Sequence, residues 1–67
     1  MYVVICSASD VSRIASITII DGSVVKKTCN PDAYSAECKY TGAISSIPAL
    51  SCKVVDGAGH VITAHVS

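Results

Sequence analysis

Four cysteines, two histidines and a handful of carboxylates are the residues of this 67-residue chain that could do chemistry. Cys6, Cys29, Cys38 and Cys52 are widely spaced. A zinc site is usually built from close ligand pairs, and these spacings contain none. A short chain with an even number of cysteines reads instead as a disulfide framework, formed in an oxidising compartment. Two disulfides and an extracellular, secreted location are therefore expected. Met1-Tyr2-Val3 does not open a signal peptide, because it lacks a basic start and a long apolar run.

A catalytic set needs a nucleophile or base held by an orienting partner. His60 lies in a glycine-containing loop and His65 on a mixed strand face, so the two do not converge. Asp21 and Asp56 each precede a glycine, a turn context in which the carboxylate binds nearby amides. Asp56-Gly57-Ala58-Gly59 lacks the Lys-Ser/Thr ending and following helix of a phosphate loop. The expectation is a protein without catalytic residues, cofactor or metal. Five basic residues balance five acidic ones, so nothing offers a phosphate-neutralising stripe, and nucleic-acid binding is not expected. No apolar run reaches the ~18–20 residues needed to span a bilayer.

The elements that must position these residues are read from periodicity. Leu50 to Val66 sorts into two strands around the loop Asp56 to His60. With that loop Val55 faces Val61 and Leu50 faces Val66. One face then carries Leu50, Cys52, Val54, Ile62, Ala64 and Val66, all apolar; the other carries Ser51, Lys53, Val55, Val61, Thr63 and His65. A one-residue slip would exchange the faces, so sorting fixes register. Tyr2 to Cys6 is apolar on both faces and reads as a central strand. Ser7 to Ser16 is a two-turn helix or a loop. Asp21-Gly22 marks a second hairpin within Ile17 to Cys29, with either a two-residue loop or a three-residue loop holding Gly22 left-handed. Asn30-Pro31-Asp32 has the chemistry of a helix start, and Tyr34 and Cys38 would share a face of that helix. Gly42 ends it, and Pro48 excludes a central strand in the connector Ala43 to Ala49.

One domain, residues 1–67, follows. Its expected class is α+β: a small, mainly antiparallel sheet with one helix, or two, on one face, in an order close to the ferredoxin-like one. An all-β sandwich or barrel is the alternative. A helix between Cys29 and Cys38 would separate their Cα atoms by ~12 Å, beyond the ~7 Å that a bridge tolerates. That argues against pairing Cys29 with Cys38 unless the helix ends early. Of the remaining pairings, Cys6–Cys38 with Cys29–Cys52 is preferred.

In composition and layout the chain resembles the small secreted cysteine-rich proteins of fungi. It is short, rich in Ser, Ala, Val and Ile, and carries four spaced cysteines in this element order. That group includes plant-pathogen effectors and killer-toxin-like α/β sandwiches. The resemblance implies a non-enzymatic protein acting on another organism, as a virulence effector or a toxin against competitors, and it transfers no functional residue. A secreted hydrolase inhibitor that inserts one loop into a cleft is the alternative. The expected partner is a protein, host or competitor derived. The contact candidates are Lys53, Asp56, Gly57 and His60 around the hairpin loop, and Tyr40 among the tyrosines Tyr2, Tyr34 and Tyr40, whose rings suit interfaces. Self-association through a strand edge, as a weak homodimer, is a further expectation.

Overall fold

A computed structural model describes residues 2–45, 47–62 and 65–66, and the side chains of all of these except Ile47, His65 and Val66. Among these residues six strands form one antiparallel sheet: β1 (Tyr2–Asp21), β2 (Val24–Cys29), β3 (Ala33–Gly42), β4 (Leu50–Asp56), β5 (Val61–Ile62) and β6 (His65–Val66). A single 3-10 turn covers Ile47–Ala49. There is no α-helix among the described residues, which corrects the expected α+β class to all-β, and no helix is long and apolar enough to cross a membrane.

β1 organises the sheet. Its first half pairs with β3 along one edge and with β6 along the other. Its second half pairs with β2 and β4. A straight strand of 20 residues would extend about 65 Å, yet the longest dimension of the molecule is 33 Å. β1 must therefore fold back on itself. The ladder with β3 breaks between Ser9 and Ile14, that with β4 breaks between Ile14 and Ser16, and Arg13 has φ +67°. The bend also shifts the inward positions. They are Val4 and Cys6 before it, but Ile17 and Ile19 after it. An odd number of steps has changed the face, as a bulge does.

The result is two leaves facing each other. Val4, Cys6 and Cys38 from the first leaf meet Ile17, Ile19 and Val54 from the second, with Ile14 at the bend; all are buried. Both disulfides cross between the leaves. Cys6 of β1 joins Cys52 of β4, with Cα atoms 6.2 Å apart, although the ladder partner of Cys52 is Ile19. Cys29 of β2 joins Cys38 of β3, at 5.8 Å. Two such bonds are compatible with an extracellular protein.

The pairing is the one that the helix argument disfavoured, and it stands because the helix is absent. Asn30-Pro31-Asp32 links β2 to β3, and Asp32 turns with φ +48°. Downstream, Ser35, Glu37, Lys39 and Thr41 are exposed while Ala36, Cys38 and Tyr40 are covered to varying degrees. That alternation has the period of a strand, and the neighbouring β1 supplies the backbone partners. Ser7 to Ser16 likewise continues β1 through the bend and forms neither a helix nor a free loop.

Other expectations hold in part. Val55 pairs with Val61 and Val54 with Ile62, the register read from the sequence. Leu50 does not meet Val66. Val66 instead pairs with Cys6; Thr63 and Ala64 lie outside the described residues. The first hairpin closes with Asp21 opposite Val24, so its loop is Gly22-Ser23, with Gly22 at φ +66°. Glycine suits the first position of such a two-residue loop because it adopts positive φ without penalty. Tyr2 to Cys6 is central in the sheet, but Tyr2 and Val3 are about half exposed, so it is not covered on both faces.

Candidate interaction surface at the strand bend

The bend is built from its own polar groups. Asp10 Oδ1 accepts the Ser12 N–H at 2.8 Å, a local turn that substitutes for ladder bonding. Arg13 and Asp32 are the two non-glycine residues with positive φ among those described. Such backbone costs on the order of 1–3 kcal/mol per residue and concentrates where a protein does something. Here the two lie together: Arg13 Nη1 donates to the Asp32 carbonyl at 3.4 Å and sits 3.7 Å from its Oδ1. The Arg13 guanidinium also stands 5.0 Å from the centre of the Tyr34 ring, within cation–π range. Arg13 thus packs against Tyr34 at the rim of a shallow open depression of about 380 Å³ lined by Ser9, Asp10, Val11 and Tyr34. Val11 is 92% exposed and Tyr34 57%.

The loop 56–60 docks on the same bend. Asp56 is buried, and its Oδ1 accepts the N–H groups of Ala58 at 3.0 Å and His60 at 2.7 Å. The Asp56 N–H donates to the His60 carbonyl, and the Gly59 N–H to the Asp56 carbonyl. Gly57 turns its N–H outward from the loop to the carbonyls of Ser12, at 3.2 Å, and Arg13, at 2.9 Å. The other Asp-Gly turn uses its carboxylate differently: buried Asp21 accepts the N–H and the hydroxyl of Ser45, each at 2.7 Å, and so ties the turn to the distant segment before β4, where a bond to nearby amides was expected.

Of the contact candidates read from the sequence, Asp56, Gly57 and His60 meet at the bend. Asp56 and the Gly57 amide are engaged in holding the loop, while the His60 ring is exposed and its Nδ1 lies 3.4 Å from Asp56 Oδ2. Lys53 is exposed on β4, opposite Thr18. Tyr40 is half-buried near the far end of β3, donating its hydroxyl to the Ala43 carbonyl at 3.2 Å. The side chain of His65 lies outside the described residues. Val11, Arg13, Asp32 and Tyr34 were not legible as a group. Their one signal is Val11, a lone large aliphatic residue inside the polar run Ser7 to Arg13.

The Asp56 carboxyl is held below the usual carboxylate range, first by the His60 amide, against the opposing pull of burial, with further help from the Ala58 amide and the His60 ring. Folding therefore favours its ionised form. The stabilisation is fully present above the unfolded-state pKa, near ~4, and is lost as pH falls through the lower folded value. Thermal unfolding followed from pH 6 to pH 2 should show a falling midpoint below about pH 4, with a shallower fall in Asp56→Asn. An identical acid profile in the variant would remove Asp56 from the account.

Comparison with protein-family models, with curated proteins and with solved structures yields no match.

Proposed function

We propose that this chain is a small secreted, non-enzymatic binding protein that acts on another organism, as an effector or toxin, by docking a protein target on the bend surface. The observation that carries the reading is that exposed Val11 and Tyr34 line one depression, with the Arg13 guanidinium against the Tyr34 ring and Asp32 against Arg13. A ring already packed against a neighbour has less freedom to lose on contact, which favours its use as an interface anchor. The two leaves bridged by disulfides support the reading by giving that surface a firm base.

A hydrolase inhibitor is the second reading, favoured by the hydrogen bonds that pre-form loop 56–60. The two readings differ in which side chains matter. Pure protein applied to plant tissue and to fungal cultures should cause cell death or growth arrest, and affinity capture should retain a target from the same responding material. Val11→Ser with Tyr34→Ala should weaken that capture tenfold or more and abolish the response, since anchor residues commonly carry 2 kcal/mol or more. Ala58→Ser with His60→Ser should leave both unchanged. The opposite pattern, together with inhibition of a hydrolase, establishes the second reading. No response and no target in either material overturns the first.

A further inference from the structure

We infer that two copies of this chain associate through β3, edge to edge, as a two-fold symmetric antiparallel pair centred on Cys38. Among the described residues β3 has one ladder, with β1. Along Ala33–Gly42 its other edge pairs with no strand among the described residues, which leaves N–H and C=O groups for another strand. Such an edge is a template for another strand. What selects a second copy is the order of side chains along it.

Directly opposed residues in an antiparallel pair point to the same face. A pairing that keeps exposed residues against exposed ones must therefore be centred on a residue. Ser35, Glu37, Lys39 and Thr41 form the exposed series, and Ala36, Cys38 and Tyr40 the covered one. Centred on Cys38, Glu37 of each copy opposes Lys39 of the other, so the charge pair forms twice. Ser35 opposes Thr41, also twice, and hydroxyl pairs of this kind are favourable across strands. The adjacent registers are self-defeating. Centring on Glu37 sets two carboxylates face to face, and centring on Lys39 sets two ammonium groups together. Centring on Ala36 or Tyr40 leaves both charges opposite neutral residues and shortens the overlap. Neither Glu37 nor Lys39 takes part in an ion pair among the described residues, so both are available. The same charges that discourage unrelated strands thus specify one isologous partner. The hydrophobic core takes no part, and a ladder of this length sits at the small end of interface sizes, so the dimer is weak.

The test is multi-angle light scattering over a concentration series at low ionic strength, on the oxidised protein. The expected result is a rise from monomer to dimer mass at or below about 1 mM. Glu37→Lys alone, or Lys39→Glu alone, sets like charges together at two places and should raise the midpoint concentration at least tenfold. The double swap, Glu37→Lys with Lys39→Glu, should restore it to within threefold. Both side chains point outward, and amide NMR spectra confirm the fold of each variant. Should one single variant misfold, the other carries the comparison. Hydrogen exchange of β3 amides should also slow with rising concentration in the wild type and not in the single variants. Monomer mass throughout, single variants that dimerise as well as the wild type, or a double swap that stays monomeric would each overturn the inference.

Discussion

Removing the Cys6–Cys52 bridge, by Cys6→Ala with Cys52→Ala, is expected to cost about 4 kcal/mol of stability, against roughly 2.5 kcal/mol for Cys29→Ala with Cys38→Ala. The difference comes from the chain closed by each bond: the first joins residues 46 apart in sequence, the second residues 9 apart. Closing a longer loop removes more freedom from the unfolded chain. A domain of 67 residues has roughly 3–10 kcal/mol in total, so the first change leaves it near the edge of folding. Its melting temperature should drop by more than about 15 °C. The bridges themselves are checked by a tryptic map without reductant. Cleavage after Arg13, Lys27, Lys39 and Lys53 places Cys29 and Cys38 within one peptide, 28–39, and leaves 1–13 linked to 40–53. The alternative pairing, Cys6–Cys38 with Cys29–Cys52, would tie all three peptides into one species. If the short-loop variant proves the less stable, chain entropy is not what these bonds supply.

Gly57→Ala is expected to cost about 2 kcal/mol, a large loss for a change of one carbon. A Cβ at position 57 would sit 2.5 Å from the Ser12 carbonyl oxygen, which is backbone and cannot swing aside. The same Ser12 carbonyl receives the Gly57 N–H, so the substitution separates loop 56–60 from the bend. Gly42→Ala supplies the control. There the added carbon would lie 2.5 Å from the Tyr40 hydroxyl, the movable end of a side chain, and the cost should stay below about 1 kcal/mol. Chemical denaturation of both variants gives the comparison, and amide shifts at Ser12 and Arg13 should move only in Gly57→Ala. Equal losses would mean that contact between loop and bend does not matter.

What could be read from the residues alone was whatever depends on near neighbours. The Val55–Val61 register followed from sorting polar against apolar positions, because slipping by one residue exchanges the faces. Asp21-Gly22 announced its turn because glycine at positive φ is a local need. The helix after Asn30-Pro31-Asp32 failed for an instructive reason. Its cap is a local preference worth about 1 kcal/mol, whereas Ala33–Gly42 gains a full ladder along β1 and a cystine to β2. The alternation of Ser35, Glu37, Lys39 and Thr41 with Ala36, Cys38 and Tyr40 was already visible, but the cap outweighed it. The pairing Cys6–Cys38 with Cys29–Cys52 depends on that helix and falls with it, since Cys29 and Cys38 are joined across two strands. The bend was illegible for a different reason: nothing in Asp10-Val11-Ser12-Arg13 demands positive φ at Arg13, and its surroundings, Asp32, Tyr34 and Gly57 among them, are remote in sequence.

The single backbone running through both leaves has a consequence for how the molecule comes apart. Where separate segments own separate hydrogen bonds, an outer hairpin can open locally while the remainder persists. Here every long strand other than β1 rests on β1, and the two cystines tie the halves across the middle. Opening either half strips partners from the other. Apart from fraying at the chain ends, amide exchange is therefore expected to report one common opening energy across both leaves, as for a single foldon.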